Sequence, residues 1–323
     1  MSRLVPIGPG GRRGALDRLV ELPQNPVPEG AQVAVVEGCG GVPLRAAFWP
    51  ATVVSPRGTV LVVQGRAEAI EKYFETVGDL RARGFAVAGF DLRGQGGSGR
   101  LYPDPLIADV GRFEDYVEDV GLVLSAVRRA GLPEPFTLLG HSTGGTVALG
   151  AAARDTTGLA RVIATAPMFG LTAVDLTSAP VGALLALLMA AGLGRRPVNT
   201  NIDHRTFETN ALTHDAARFE RTRAIFMAEP ALRIGPPTYH WLKAMRDGIR
   251  RLAGADGLAQ CRIPALVVAA GEERIVSTPR ALAAAGRIPK GNALVIEGAR
   301  HEVLQETDAL RARFWAAFDA FTA

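Results

Sequence analysis

The pattern of apolar and polar positions predicts eight strands, most of them separated by helices. The predicted strands are short apolar runs at 32–36, 44–49, 59–63, 85–90, 136–139, 161–166, 265–270 and 293–296. The first two runs flank the glycine-rich turn 38–41, which predicts an antiparallel hairpin. Between later runs, apolar residues recur at helical spacing, as in Phe113, Tyr116, Val117 and Val120, and predict helices with one buried face.

Repeated strand–helix–strand units predict an α/β fold, with a mostly parallel, eight-stranded sheet flanked by helices. The alternation stops between about 167 and 237. There, an apolar run of about 15 residues, 179–193, and several helical segments predict a helical cap inserted after the sixth strand. We therefore expect an irregular N-terminal arm over 1–30, a core over 31–168 and 238–323, and a cap over 169–237. Active sites of such sheets gather beyond the carboxyl ends of the strands.

The composition is that of an ordinary globular protein, with 48% hydrophobic residues, 21% charged residues and a net charge of +4. No basic run interleaved with aromatic residues predicts nucleic-acid binding, and no His/Cys/Asp cluster has the spacing of zinc ligands. Cys39 and Cys261 are far apart, and we interpret them as reduced thiols of a cytoplasmic protein. The N-terminus lacks the continuous apolar core of a signal peptide, and the run 179–193 is too short to span a bilayer reliably.

The motif G-H-S-T-G at 140–144 matches G-x-S-x-G, the nucleophile-elbow pattern. It lies between a predicted strand and a run of small residues, 145–153, that predicts a helix. A serine on such a strand-to-helix turn is held out from the sheet, and the helix N-terminus behind it favours developing negative charge. The motif therefore makes Ser142 the candidate nucleophile.

A serine nucleophile needs a base, and the chain has five histidines. His301 follows the last predicted strand by a short turn, at the sheet edge where Ser142 is expected, and is the candidate base. His141 adjoins the serine with its ring expected to point away, and the other three lie in or beside the cap. The base needs a carboxylate in turn, and the residues alone leave two candidates, Glu272 and Glu273, after the preceding strand.

Four loops resemble motifs of the lysophospholipase and monoacylglycerol-lipase branch of the α/β-hydrolases, the branch of serine aminopeptidase S33-type proteins. Q-G-R-A-E at 64–68 is similar to H-G-x-x-E, and D-L-R-G-Q-G-G-S at 91–98 is similar to D-x-R-G-x-G-x-S. E-R-I-V at 273–276 is similar to acid-R-[IV]-V, and G-A-R-H-E at 298–302 is similar to G-A-x-H-E. The chain order Ser, Glu, His is also that of the α/β-hydrolases, so the resemblance covers nearly the whole chain.

The resemblance implies an α/β-hydrolase fold with a catalytic triad of Ser142, Glu273 and His301. Aligning the acid segment chooses Glu273 over Glu272. The family's loop positions also imply an oxyanion hole made by the backbone N–H groups of Arg66 and Thr143.

Two positions depart from the family's pattern. Gln64 stands where the family usually has His, which bears on the hydrogen bonds that shape that loop, and Glu273 replaces the commoner Asp. Asp91 is a tempting catalytic acid, but the matching family turn is structural. We therefore expect its side chain to hold the bend at Arg93 and Gly94.

Two further segments, A-P-M-F at 166–169 and N-A-L-T at 210–213, resemble cap-region signatures of bacterial lysophospholipase-like members. The resemblance implies a serine hydrolase that cleaves carboxylic esters of acyl chains, a lysophospholipase or monoacylglycerol lipase, with no cofactor and no metal. Its partner is then a small-molecule lipid or ester, with no nucleic acid. From the two reduced thiols and the apolar run of the cap, we expect a cytoplasmic protein with peripheral contact at the inner face of the membrane.

Several alternatives stay open at this point. The apolar residues 181–193 either line an acyl pocket or form the core of the cap. The same triad also serves small-ester esterases, thioesterases, amidases or peptidases and C–C hydrolases. A third hypothesis is a non-catalytic binding protein on the same scaffold, and the oligomeric state is unknown.

Overall fold

The structure, a computed structural model, describes residues 4–5, 16–199, 206–255 and 257–323. The strands are β1 (Leu4–Val5), β2 (Gln32–Glu37), β3 (Pro43–Trp49), β4 (Thr59–Val63), β5 (Ala86–Phe90), β6 (Phe136–His141), β7 (Leu159–Thr165), β8 (Ala265–Ala270) and β9 (Gly291–Ile296). They form one sheet in the order β1-β2-β3-β5-β4-β6-β7-β8-β9. The pairs β1–β2, β2–β3 and β3–β5 are antiparallel and the remaining pairs are parallel. The predicted α/β fold with a mostly parallel sheet is confirmed.

The N-terminal arm, predicted to be irregular over 1–30, contributes a strand to this sheet. β1 pairs with β2, with Leu4 opposite Val36. The sheet therefore has one strand more than the eight predicted, and the prediction of an irregular arm is wrong at β1. The rest of the arm before residue 16 lies outside the described residues.

The helices are α1 (Phe74–Ala82), α2 (Phe113–Arg129), α3 (Thr143–Arg154), α4 (Ala179–Ala190), α5 (Ala216–Ala228), α6 (Tyr239–Leu252), α7 (Thr278–Ala285) and α8 (Asp308–Thr322). Alternate side chains of the central strands pack on opposite faces of the sheet. In β4, Val60 and Val62 pack in the core formed with α1 and α8, whereas Leu61 and Val63 pack in the core formed with α2 and α3. These strands are therefore buried on both faces, as their continuous apolar runs predict.

The insertion between β7 and α6 carries the cap helices α4 and α5, with short 3-10 turns at Phe207–Thr209 and Pro230–Leu232. α4 packs against α6, and α5 packs against the 3-10 turn that precedes α1. The exact domain bounds given above stay a prediction. Among the helices of the described residues, none combines the length and apolar character needed to cross a membrane.

Candidate active site

The serine of the G-H-S-T-G motif lies at the turn between β6 and α3. Ser142 has φ 52° and ψ −118°, a backbone conformation that a non-glycine residue adopts only where its surroundings impose it. The motif glycines permit the close packing that does so. A Cβ on Gly140 would lie 2.4 Å from the carbonyl oxygen of Gly144, and a Cβ on Gly144 would lie 2.1 Å from that of Val63. Ser142 is thereby held at the N-terminus of α3, against the end of β4.

The loop after β7 fixes the backbone of the elbow. The N–H of Ser142 donates to the carbonyl of Thr165 (2.9 Å), and the carbonyl of Ser142 accepts from the N–H of Met168 (3.1 Å). Met168 belongs to the A-P-M-F segment, 166–169, which resembles a cap-region signature. In this structure the segment supports the candidate nucleophile directly.

His301 and Glu273 follow the neighbouring strands β9 and β8 and contact each other. Nδ1 of His301 lies 2.7 Å from Oε2 of Glu273, and Oε1 of Glu273 accepts from the N–H groups of Ile275 (2.8 Å) and Val276 (3.3 Å). Burial raises the pKa of Glu273, but the bond with His301 and the two backbone donors outweigh it and hold the pKa below its usual value. The carboxylate is therefore ionised at neutral pH, which keeps the proton of a neutral His301 on Nδ1 and leaves Nε2 free.

The other candidate acid, Glu272, has a different partner. Its Oε2 lies 3.3 Å from Nε2 of His214, and its side chain is half exposed. The side chains of Glu273 and His301 are buried by comparison. The geometry therefore joins His301 to Glu273 and not to Glu272.

The pair formed by His301 and Glu273 lies beside the elbow. The ring centroids of His141 and His301 are 4.9 Å apart, which brings His301 next to the residue before Ser142. Among the described residues, no hydrogen bond joins the Ser142 hydroxyl to His301. Catalytic hydrogen bonds are often long before substrate binds. The structure thus brings two members of the predicted triad into contact and the third into their neighbourhood.

Arg66 and Thr143 present backbone N–H groups with no protein acceptor among the described residues. Thr143 is the first residue of α3, where N–H groups have no partner within the helix. Arg66 follows β4, and the carbonyls of Val63 and Gln64 lie against Gly144. The N-terminus of α3 and the loop after β4 therefore pack against each other, and the use of their two amides as an oxyanion hole stays a prediction.

Gln64, the departure from the family's histidine, binds the turn after β5. Its Nε2 donates to Oδ1 of Asp91 (3.0 Å), and the same oxygen accepts from the N–H of Ile70 (3.0 Å). Its Oε1 is buried and has no hydrogen-bond partner among the described residues. A donor at this position therefore preserves the contact between the loop after β4 and the turn after β5.

Both oxygens of Asp91 are engaged in bonds of this kind. Oδ2 accepts from Arg45 Nε (2.6 Å) and from the N–H of Gly97 (2.6 Å). The bond from Gly97 closes the turn that contains Arg93 and Gly94, as expected of a structural Asp91. The Arg93 guanidinium itself is paired with Asp119. Asp91 holds the turn after β5 in place through its bonds with Arg45 and the backbone of Gly97.

A buried polar network that the sequence analysis missed joins the loop after β4 to the loop after β9. Nζ of Lys72 lies 2.6 Å from carboxylate oxygens of both Glu68 and Glu302, and all three side chains are buried. Glu68 also accepts from the hydroxyl of Tyr73 (2.5 Å). Burial raises the pKa of Glu68, but Lys72, His141 and the hydrogen bonds hold it well below its usual range.

Two signals could have pointed to this network. Glu68 and Glu302 end two of the family-like motifs, and Lys72 stands four residues after Glu68. Such spacing usually indicates an exposed helical pair, so burial was not evident from the sequence.

His141 lies at the edge of the network and is neutral. Its Nε2 is 3.7 Å from Oε1 of Glu68 and makes no hydrogen bond among the described residues. Burial, together with the nearby His301 and Lys72, lowers the pKa of His141 to about 3, although Glu68 acts in the opposite direction. The ring of His141 therefore places no positive charge beside His301.

The cap segment 210–213, N-A-L-T, contacts the loop that carries His301. The carbonyl of Leu212 accepts from the N–H of Glu302 (2.8 Å), and the hydroxyl of Thr213 donates to the carbonyl of Gln305 (2.7 Å). This segment therefore positions the candidate base, so the cap is part of the site's framework.

Together these groups provide a hydroxyl, an imidazole held by an ionised carboxylate, and two unengaged amides. Those are the parts of nucleophilic acyl transfer. In the described ranges, no group of three or more His, Cys, Asp or Glu side chains is arranged to hold a metal ion.

Comparison with known proteins shows which family the chain matches. A profile of the serine aminopeptidase S33 family matches residues 54–308. Lysophospholipase L2 of Escherichia coli K12 is 34% identical over 276 residues, which cover 78% of this chain and 76% of that protein. The probable lysophospholipase L2 of Haemophilus influenzae is 29% identical over 259 residues, covering 79% of this chain and 80% of that protein.

Solved structures share the fold. A soluble variant of monoglyceride lipase from Saccharomyces cerevisiae, in complex with a substrate analog, superposes with a TM-score of 0.69 at 21% identity, covering 92% of this chain and 95% of that one. The monoacylglycerol lipase of Paleococcus ferrophilus gives a TM-score of 0.67 at 19% identity, covering 86% of this chain and 98% of that one. These likenesses show the architecture of the chain.

Proposed function

This chain belongs to the serine aminopeptidase S33 family of α/β-hydrolases, and we propose that it is a carboxylic ester hydrolase of the lysophospholipase type. The observation that carries the proposal is the contact between His301 and Glu273 beside the Ser142 elbow. The similarity to lysophospholipase L2 over 78% of the chain supports the substrate class. Monoacylglycerol lipase is the second candidate, because the family-like loops at 64–68 and 298–302 resemble lysophospholipases and monoacylglycerol lipases equally well.

In the proposed reaction, the Ser142 hydroxyl attacks the ester carbonyl and His301 Nε2 takes its proton. Glu273 holds the Nδ1 proton and stabilises the imidazolium. The N–H groups of Arg66 and Thr143 bind the oxyanion of the tetrahedral intermediate. His301 then protonates the leaving alcohol, and in the second half of the cycle it activates the water that hydrolyses the acyl-enzyme.

The substrate class is tested with four substrates of matched acyl chain: a lysophospholipid, a monoacylglycerol, an acyl thioester and an acyl amide. We expect the two glycerol esters to be hydrolysed fastest. Preferential hydrolysis of the thioester or the amide would instead favour the alternative reactions of the same triad. A fluorophosphonate probe should label Ser142 in the folded protein. Absence of labelling would refute the proposed function and every alternative that uses Ser142 as the nucleophile.

The assignment of the acid is tested with two neighbouring variants. Glu273→Gln should lower kcat by a factor on the order of 10⁴, because the amide holds the wrong tautomer of His301. Glu272→Gln is the matched control and should leave kcat within about twofold, because Glu272 contacts His214 instead. Equal losses in the two variants would remove Glu273 from the proposed triad.

We also propose that the protein works in the cytoplasm with the cap in peripheral contact with the membrane. Leu184 and Leu187 of α4 are 54% and 66% exposed, and exposed apolar patches mark contact sites. Cys39 and Cys261 are free thiols, which suits a reducing compartment. Co-sedimentation with phospholipid vesicles tests the membrane contact, and recovery of all the protein in the supernatant would refute it.

A further inference from the structure

Four cationic side chains are buried in the part of the chain that the structure describes, and each is paired with carboxylates. The pairs are Arg45 with Glu71 and Asp91, Lys72 with Glu68 and Glu302, Arg93 with Asp119, and Arg311 with Glu75 and Asp79. Pairing of this kind offsets the cost of removing a charge from water. The core of this protein therefore does not carry an unneutralised positive charge at these four positions.

Arg66 differs from these four cations. Its side chain is half-buried, and among the described residues no carboxylate lies within ion-pair distance. Its Nε is buried without an acceptor, and its terminal nitrogen donates only to the carbonyl of Gly235. The guanidinium lies 5.3 Å from the centre of the Trp241 ring.

The charge of Arg66 persists at neutral pH. Burial lowers its pKa to about 10, which is still well above neutrality. The nearby hydroxyl of Tyr116 is no counter-ion, because burial raises the pKa of Tyr116 to about 12. Arg66 therefore brings an unneutralised positive charge to the loop that carries the proposed oxyanion donor.

Two more guanidinium groups surround the same stretch of the cap, 231–235. Arg100 donates to two of its backbone carbonyls, at 2.7 and 3.4 Å. Arg233 belongs to the stretch itself, and its Nε donates to the carbonyl of Phe226 in α5 (2.8 Å). Neither has a carboxylate within ion-pair distance in the ranges described. The acid that begins this turn, Glu229, is already paired with Arg18 (2.6 Å). The segment is therefore positively charged around a site that, on our proposal, binds a lipid ester.

We propose that the Arg66 guanidinium binds the phosphate of a lysophospholipid, so that the enzyme selects phosphate-bearing lipids over neutral monoacylglycerols. This inference rests on the proposed function. The three-carbon glycerol backbone separates the ester from the phosphate by roughly the length of an arginine side chain. An ester carbonyl at the Arg66 amide therefore brings the phosphate within reach of the Arg66 guanidinium.

The chemistry of the group suits this ligand. A guanidinium presents a planar fork of donors that matches two phosphate oxygens, and such charge-assisted bonds are among the strongest in proteins. A monoacylglycerol offers only a hydroxyl at the same place and leaves the charge without a counter-ion. Selectivity then arises partly from the cost of that unpaired charge.

The experiment compares lysophosphatidylglycerol with a monoacylglycerol of the same acyl chain, both below their micellar concentrations. Arg66→Met keeps the backbone N–H and removes the charge. We expect it to lower kcat/KM for the lysophospholipid about tenfold or more beyond any loss on the monoacylglycerol. Arg250→Met is the matched control, since Arg250 is exposed on α6, and it should leave the ratio of the two kcat/KM values within about twofold.

Each outcome is decisive. If the wild type hydrolyses both lipids and Arg66→Met lowers both kcat/KM values by the same factor, the inference is overturned while the proposed function stands. If the wild type hydrolyses neither lipid, the proposed function itself fails. Should Arg66→Met not fold, Arg66→Lys is used in its place, because it keeps the positive charge and removes the planar pair of guanidinium donors. It should lower the same ratio about threefold or more, and an unchanged ratio would overturn the inference.

Discussion

Helices α3 and α4 have the same length and are both rich in apolar residues, yet one is buried and the other is exposed. Each has 12 residues. Ten residues of α3 are buried, whereas Leu185 is the buried residue of α4. Leu184 and Leu187 of α4 are 54% and 66% exposed to solvent.

The difference shows that shape and position, more than apolar content, decide burial in this fold. α3 consists largely of Gly, Ala and Thr, so it fits closely between the sheet and α2. α4 carries large side chains around its whole circumference, and packing against α6 covers only one side. The apolar run was expected to line an acyl pocket or to form the core of the cap. Leu185 is buried in the core and Val181 packs against it, whereas Leu184 and Leu187 face solvent, so only part of the run packs as a core.

The largest effect should come from the residues that precede the two helices. Ser142 and Ser178 are the N-cap residues of α3 and α4, and neither makes a side-chain capping bond. We expect Ser142→Ala to lower kcat/KM by a factor on the order of 10⁴ to 10⁶, because the nucleophile is lost. Ser178→Ala should leave it within about twofold. Steady-state hydrolysis of a glycerol ester measures kcat/KM for both variants. A fully active Ser142→Ala variant would refute the mechanism.

The second effect concerns two lysines that each pair with a carboxylate four positions away in the chain. Lys72 with Glu68 is buried near the start of α3, and Lys243 with Asp247 is exposed on α6, beside α4. Lys72→Met leaves Glu68 and Glu302 buried without a counter-ion and should lower the free energy of unfolding by about 3–5 kcal/mol. Lys243→Met should lower it by less than about 1 kcal/mol. Urea denaturation measures both, and equal losses would contradict the burial of the network.

The pH dependence of the Lys72→Met loss gives a further check. The pKa of Glu68 is lower in the folded protein than its ordinary value. Glu68 therefore contributes stability that is present above its unfolded pKa, near 4.3, and that is lost as the pH falls towards the folded value. The difference in unfolding free energy between wild type and Lys72→Met should thus narrow below about pH 4. A difference that stays constant down to pH 3 would show that Lys72 does not set the pKa of Glu68.

A smaller effect is expected when one glycine in each helix, Gly144 of α3 and Gly182 of α4, is replaced by alanine. A Cβ at position 144 would meet backbone oxygens of β4 and its following loop, whereas a Cβ at Gly182 would meet the flexible end of Arg246. Gly144→Ala should cost about 1–3 kcal/mol of stability. It should also lower kcat/KM about 100-fold, because it displaces the loop of the Arg66 amide. Gly182→Ala should change stability by less than about 1 kcal/mol, with the gain in helix propensity favouring the variant. Thermal unfolding and hydrolysis assays separate the two.

Local sequence patterns, together with the topology of parallel sheets, made part of this molecule predictable from the sequence. The strand before Ser142 and the small-residue helix after it are adjacent in the chain, so their pattern predicts the turn between them. His301 could be placed because parallel strands bring their carboxyl ends to one edge of the sheet. The choice of Glu273 over Glu272, by contrast, needed the family resemblance, since both follow the same strand.

Features that depend on distant contacts were not predictable in this way. Lys72 meets Glu302 across 230 positions of the chain, and nothing near either residue indicates the contact. The pairing of β1 with β2 involves two residues, too few to show a pattern. The exposure of α4 depends on which neighbours cover it, and an apolar run reads the same whether it is buried or exposed.

The smallest change in stability should come from the exposed leucines of α4, and it would sharpen the contrast with α3. Replacing Leu184 and Leu187 together by Gln should change the free energy of unfolding by less than about 0.5 kcal/mol, because neither side chain is buried. Hydrolysis of a soluble short-chain ester should stay within about twofold of the wild-type rate. Affinity for phospholipid vesicles should fall roughly tenfold, since partial burial of two leucines contributes about 1–2 kcal/mol.

The matched control for this double variant lies at the other edge of the sheet. Val53 and Val54 are 44% and 102% exposed and precede β4, whereas the site lies beyond the carboxyl end of that strand. Replacing both by Gln removes a similar exposed apolar surface and should leave vesicle affinity unchanged. If both double variants weaken vesicle binding equally, contact with the membrane is not specific to the cap. If only the α4 variant weakens vesicle binding, the two apolar helices have different roles. α3 then positions the nucleophile, and the exposed leucines of α4 contact the lipid surface.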